Sequence, residues 1–190
     1  MDSATCVRLV WPSAVYLRGY VAALERGWSP DNLRPEAAQE ELQAISLNPT
    51  KFLSELVDME AAGPPIKLPD GSLVPRLPGY RRWIWDGDFC GSISFRWRPG
   101  TGALPTTCPG HIGYAVVPWK QGKGYATAAL RELLPEAKAT GLPYVEITTD
   151  PANVASQRVI LANGGILVGR FRKAEQLGAA EELRFRIDLA

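Results

Sequence analysis

Residues 111–130 read HIGYAVVPWKQGKGYATAAL, and this run constrains the fold more than any other stretch of the chain. Its first part, His111–Val117, reads as an apolar strand stopped by Pro118, which has no N–H to offer a ladder. Its last part opens a helix predicted over Gly122–Thr140, with Ala126, Leu130, Leu133, Leu134 and Ala137 on one side. Pro135 falls inside that helix and is expected to kink or shorten it. Between strand and helix lie Gly122 and Gly124. Such a turn leaves unpaired backbone N–H groups pointing outward, and the helix dipole adds partial positive charge. Together these make a seat for a phosphate or diphosphate.

The flanking sequence supplies the rest of an α/β sheet of mixed direction. Thr5–Val10 reads as a short strand and Ser13–Arg26 as a helix that Gly27 ends. Pro35–Leu47 and Thr50–Ala61 read as two helices broken at Asn48-Pro49. Gly63–Gly79 holds five prolines and three glycines, a density expected to forbid any ladder and to leave an irregular loop or insertion. Asp86-Gly87-Asp88 between Tyr80–Trp85 and Phe89–Trp97 is a hairpin signal. Beyond the glycine turn come a strand at Tyr144–Thr149, a helix at Asn153–Asn163 closed by Gly164-Gly165, and strands at Ile166–Phe171 and Leu183–Leu189. With 190 residues and no piece able to hold a separate core, residues 1–190 read as a single domain.

Composition narrows the partners. A formal charge of +1 gives no field to draw nucleic acid or anionic lipid. No segment approaches the roughly 20 apolar residues of a membrane helix, and the N-terminus lacks a signal-peptide pattern, so the expected location is cytoplasmic. Cys6, Cys90 and Cys108 are widely spaced with no CxxC pair, so neither a disulfide framework nor a metal site is expected.

Three readings compete for the glycine turn. A Walker A loop fails, because Gly124 follows Lys123 where Ser or Thr is needed and Val117 replaces its first glycine. A dinucleotide fingerprint is weak, since Thr127 replaces the third glycine of Gly122-x-Gly124. The string Gln121-Gly122-Lys123-Gly124-Tyr125-Ala126 matches R/Q-x-x-G-x-G/A and resembles the coenzyme A loop of the GNAT superfamily of N-acetyltransferases. Val116-Val117-Pro118 before it, and Asn153-Val154-Ala155-Ser156 with RVILANGG after it, extend the resemblance over roughly Phe89–Phe171.

The resemblance implies a mixed, mostly antiparallel central sheet with splayed middle strands, flanked by helices, and acetyl-CoA as co-substrate. It places the pantetheine arm against backbone groups of Val116 and Val117 and the diphosphate on amides from Gln121 and Gly122 through Lys123, Gly124, Tyr125 and Ala126 to Thr127. Asn153 and Ser156 complete the cofactor contacts, with Asn153 bonding the arm. A plain reading of the same residues is an α/β loop and a helix N-cap.

No serine or cysteine stands in a nucleophile motif, so direct attack by a primary amine is expected rather than an acyl-enzyme. Glu146, a carboxylate in the strand VEIT, is one candidate base, because burying it is costly unless it is paired, wet or functional. His111, the single histidine, is the other. Many relatives carry a proton-donating tyrosine where this chain has Ile160; Tyr114 and Ser156 are the possible replacements. Arg96 and Arg98 share a strand face that suits either an anionic group on the acceptor or plain solvent. Tyr20 (with Tyr16) and Trp28 are candidates to line the acceptor's pocket, the alternative for aromatics at helical spacing being the core. Arg81, Arg82, Arg170, Arg172 and Lys173 read as solvated surface. The expected partner is a small-molecule amine or a protein amino group, with no nucleic acid and no membrane, acting as monomer or homodimer. A non-catalytic acyl-CoA binding or sensing module is the alternative.

Overall fold

The computed structural model describes residues 7–32 and 34–189. Thr5 and Cys6, the first two residues of the expected N-terminal strand, lie outside that range; within it the strand is β1, Arg8–Val10. Helix α1 (Ala14–Glu25) starts after an extended Ser13 and ends before Gly27 at φ 85°. Helices α2 (Ala37–Leu47) and α3 (Pro49–Glu55) meet at Asn48, whose side chain accepts the Lys51 N–H at 2.9 Å. The second of these stops short of the expected Ala61, because Val57 and Asp58 leave the helix to pair as β2 (Val57–Asp58) with Tyr80 and Gly79. Tertiary pairing here overrides helical propensity.

The proline-rich stretch is not wholly irregular. Ile66–Lys67 (β3) pairs with Leu73–Val74 (β4), a two-residue ladder that fits between Pro65 and Pro75, and Leu68 beside it is buried. Strands β5 (Gly79–Trp85) and β6 (Phe89–Arg96) form the expected hairpin, with Gly87 at φ 116°. There follow β7 (Ile112–Val116), α4 (Tyr125–Ala139), β8 (Tyr144–Thr149), α5 (Val154–Leu161), β9 (Ile166–Arg172) and β10 (Glu181–Asp188). Pro135 does not break α4, because Leu133 and Ala137 on either side of it are fully buried and hold the helix in line.

The strands form two main antiparallel sheets, β1-β5-β6-β7, with β2 also on β5, and β8-β10-β9. One core lies between α4, α5 and a shared face of both sheets, where Ile93, Leu130, Leu133, Val145 and Ile160 are sealed from solvent. A second core lies under α1–α3 on the other face of the first sheet. Tyr20 is its centre, stacked on Trp83 at 4.6 Å and edge-on to Trp28 and Phe89. The corresponding face of the second sheet carries Tyr144, Glu146, Thr148, Arg184 and Arg186, all half-exposed.

Three cations expected on the surface are inside. Arg82 bonds Glu136 at 2.9 Å and the Leu9 carbonyl at 3.0 Å, with Trp11 over its guanidinium. Arg81 bonds Glu41 and the Tyr20 hydroxyl, and the largely buried Lys173 pairs with Glu182 at 2.9 Å. Each has an acidic partner, distant in sequence for the two arginines and on the neighbouring strand for Lys173, which is what makes burial of the charge tolerable.

Candidate active site

Strands β7 and β8 are consecutive, joined by α4, yet no ladder connects them among the described residues. They touch at one end. The His111 N–H donates to the Glu146 carbonyl at 2.7 Å, and the Glu146 N–H donates to His111 Nδ1 at 2.9 Å. The imidazole thus takes the place of a backbone carbonyl and closes the seam where the two sheets meet. With Nδ1 accepting, the ring hydrogen is assigned to Nε2, which is buried without a partner. Burial pushes the His111 pKa below its ordinary value, against the opposing pull of Glu146. The neutral ring is therefore the favoured form.

Past this seam the strands part. The Val117 N–H bonds Cys90 and the His111 carbonyl accepts from Arg96, so odd-numbered residues of β7 pair with β6. Even-numbered residues then turn their backbone groups toward the gap. Two of their carbonyls are met by side-chain amides: Tyr114 by Asn32 Nδ2 at 3.1 Å, and Val116 by Gln121 Nε2 at 3.1 Å. Val117 departs from expectation. Its N–H is taken by Cys90 and its carbonyl by Lys120, so it has no free N–H for a pantetheine arm.

The glycine turn lies at the open end of the gap. A single 3-10 turn, Pro118–Lys120, leads into exposed Gln121, Gly122, Lys123 and Gly124. Gly122 and Gly124 hold φ of 73° and 81°, a region that glycine enters without steric cost. Among the described residues, the amides of Gly122, Lys123 and Gly124 make no backbone hydrogen bond, and those of Tyr125, Ala126 and Thr127 open the first turn of α4. Beneath the turn, Asp86 of the β5–β6 hairpin receives Lys120 Nζ at 2.7 Å on one oxygen and the Tyr125 hydroxyl on the other. Burial alone would raise the Asp86 pKa, but these two bonds outweigh it and hold the carboxyl well below its usual range. The same bond to Asp86 lifts Tyr125 to about 12. One carboxylate thereby ties both ends of the glycine turn to the sheet. By sequence Asp86 reads only as a hairpin-turn residue, because its partners lie 34 and 39 residues away.

On the far side of the gap, Asn153 caps α5 through the Ser156 N–H at 3.0 Å and is exposed. The Tyr114 hydroxyl and Ser156 Oγ stand 2.9 Å apart, so the two possible proton donors are bonded to each other across the gap. Burial raises Tyr114 to about 12. Ile160, at the usual tyrosine position, is sealed in the core. Glu146 bonds Arg186 at 2.8 Å and lies 3.6 Å from Arg184 Nε. Arg96 lies on the same side of the molecule, its Nη2 against Gly113. Tyr20 and Trp28 lie inside the aromatic core, and the Tyr20 hydroxyl is occupied by Glu41 and Arg81, so neither lines an accessible pocket. Sequence reasoning missed Asn32, Lys120, Arg184 and Arg186. Only the alternation of Arg184 and Arg186 on one strand face could have drawn notice.

Two sheets parting beside a glycine turn at a helix start define the acetyltransferase class of α/β folds. The family model of the acetyltransferase (GNAT) domain matches residues 72–166, and the chain belongs to that family. Its splayed, mostly antiparallel sheet is the expected architecture. Among solved structures, the chain is similar to the microcin C7 self-immunity acetyltransferase MccE in complex with acetyl-CoA and AMP. The two share 16% identity over 96% of this chain and 92% of that one, with a TM-score of 0.62. It is also similar to RimL, the ribosomal L7/L12 alpha-N-protein acetyltransferase, at 15% identity over 96% and 93% of the two chains, with a TM-score of 0.59. No curated protein matches the sequence. Among the described residues no helix is long and apolar enough to cross a membrane.

Proposed function

We propose that this acetyltransferase takes acetyl-CoA in the gap between β7 and β8 and moves its acetyl group to a primary amine by direct attack. The observation that carries the reading is the gap itself, bounded by unladdered backbone groups of Tyr114 and Val116 and ending on the free amides of Gly122, Lys123 and Gly124. The diphosphate would lie on those amides, with Ala126 and Thr127 in the helix turn behind them and Lys123 exposed beside them. The pantetheine arm would displace Gln121 from the Val116 carbonyl and pass the exposed Asn153.

The amine nitrogen bonds to the thioester carbon, the C–S bond breaks, and its electron pair leaves on the thiolate. A proton must leave the nitrogen and one must reach sulfur. Glu146 is the favoured base, since its carboxylate stands at the seam where the gap begins. With two arginines sharing its oxygens, it would act through a water molecule. His111 is less suited, because its Nδ1 already accepts the Glu146 N–H. The bonded Tyr114–Ser156 pair is the proton source toward sulfur. Holding amine and thioester together supplies much of the rate, as orientation alone is worth several kcal/mol.

Calorimetry with acetyl-CoA and thiol release with an amine panel test this reading. Gly124→Val puts a side chain into the diphosphate seat at a positive φ, and acetyl-CoA affinity should fall by at least about tenfold. Glu146→Gln should bind acetyl-CoA normally and lose about 100-fold in turnover. Undiminished affinity in the glycine variant removes the loop assignment. Tight cofactor binding without turnover on any amine would favour an acyl-CoA sensor.

A further inference from the structure

We propose that the acceptor amine carries an oxyanion group, a carboxylate or a phosphate, and that Arg96 with Arg184 and Arg186 receives it. The proposal rests on the acetyl-transfer reading and names the substrate class that reading leaves open.

Charge around the seam does not balance. Arg184 and Arg186 share one carboxylate at ion-pair distance, that of Glu146, while Asp188 acts on Arg186 through its charge alone. Arg96 is half-buried, yet its guanidinium makes no hydrogen bond or ion pair among the described residues. It lies close enough to His111 for its charge to help depress that pKa. The Nε atoms of Arg184 and Arg186 are buried and donate to nothing, the 3.6 Å approach of Arg184 Nε to Glu146 being too long for a hydrogen bond. Nearby, Lys173 is paired with Glu182, and Arg172 and Glu175 line one groove with Arg184. Among the described residues, three guanidiniums thus have one acid at ion-pair distance, on a chain whose formal charge is only +1.

An open groove borders the arrangement at Arg184. Arg184 lies over the Phe171 ring at 4.2 Å and forms one wall of an open groove of about 450 Å³, which Thr106 also lines. Stacking fixes the guanidinium plane and leaves its edge to donate, the geometry that suits paired bonds to carboxylate or phosphate oxygens. Because Glu146 touches the same arginines, an anion bound there would set its amine beside the seam.

Matched acceptors test the proposal: β-alanine against propylamine, O-phosphoethanolamine against ethanolamine, and an Ala-Asp peptide against Ala-Asn. At least one anionic member should exceed its neutral partner about tenfold in kcat/KM, and the pair that responds identifies carboxylate, phosphate or peptide side chain as the source. Arg96→Gln should erase the preference by raising KM while leaving kcat and acetyl-CoA affinity in place. As a readout independent of turnover, the N-acetylated products should bind the coenzyme A-loaded protein, the anionic one more tightly. Equal handling of every pair in both assays, or an Arg96→Gln effect the same for both members, overturns the proposal. Loss of acetyl-CoA binding by the unaltered protein would instead sink the acetyl-transfer reading beneath it.

Discussion

The two halves of one molecular side are finished differently. Under α1–α3, the first sheet presents Trp83 and Phe89 to Tyr20, Trp28 and Phe52, and Arg81 beneath those helices is neutralised by Glu41. Beyond β7 the helices stop, and the second sheet presents Tyr144, Glu146, Arg184 and Arg186 to solvent. Both halves alternate in the same period-2 pattern. What differs is the cover. The seam at His111 and Glu146 lies where the covered half ends, and Asn32, from the segment between α1 and α2, reaches from the cover to the Tyr114 carbonyl. Chemistry that needs both a fixed frame and access is thereby placed at the edge of the frame.

The largest expected difference between the halves is in stability. Trp83 is sealed from solvent and stacked on Tyr20, so Trp83→Ala should cost about 3–5 kcal/mol. Arg186 is 36% exposed and leaves Glu146 with Arg184 when removed, so Arg186→Gln should cost under about 1 kcal/mol. Urea denaturation of the two variants makes the comparison. Equal losses would mean that the open half is as structural as the covered one.

The seam gives a second, smaller contrast, in pH dependence. The folded state holds His111 neutral, with a pKa below the roughly 6.5 of an unfolded chain. The unfolded state therefore binds the proton first as pH falls. The histidine contribution to stability is complete above about pH 6.5 and is lost as pH drops toward the folded value. Its slope cannot exceed about 1.4 kcal/mol per pH unit for one proton. In His111→Asn, the amide oxygen can still accept the Glu146 N–H but does not titrate. This is the chain's single histidine, so denaturation between pH 5 and 7 should show the slope reduced in the variant. An unaltered slope would separate the histidine from the acid sensitivity of the fold.

Much of this frame was legible in the chain. Gly122 and Gly124 between a proline-stopped strand and a helix gave the turn, and Asn153 gave the start of α5, because these are local rules of dihedral and cap. Tyr144–Thr149 was read to its boundaries. The misreadings concern partners far away in sequence. Arg82 looks solvated until Glu136 is brought to it, and Val117 looks free until Cys90 takes its amide. Of the two places the sequence leaves open for Tyr20 and Trp28, pocket or core, they take the core, a choice that helical spacing alone does not make. Arg184 and Arg186 carry no local signal beyond their alternation on one strand face; the absence of helices over that face is what exposes them.

The finest distinction concerns what the covered half does for the open one. Asp86 belongs to the covered sheet, yet through Lys120 and Tyr125 it fixes both ends of the glycine turn. Tyr125→Phe removes one hydroxyl from that clamp and leaves the Lys120 bond in place. Losing a charge-assisted hydrogen bond in a partly buried setting costs about 1 kcal/mol or somewhat more. If the clamp only holds the fold, the loss appears in the melting temperature and acetyl-CoA affinity is unchanged. If it sets the spacing of the turn's amides, affinity should fall roughly three- to tenfold by calorimetry, while kcat at saturating acetyl-CoA is kept. The second outcome is the expected one, since Tyr125 is the first residue of α4 and its hydroxyl bond fixes where the helix, and so its free N–H groups, begin.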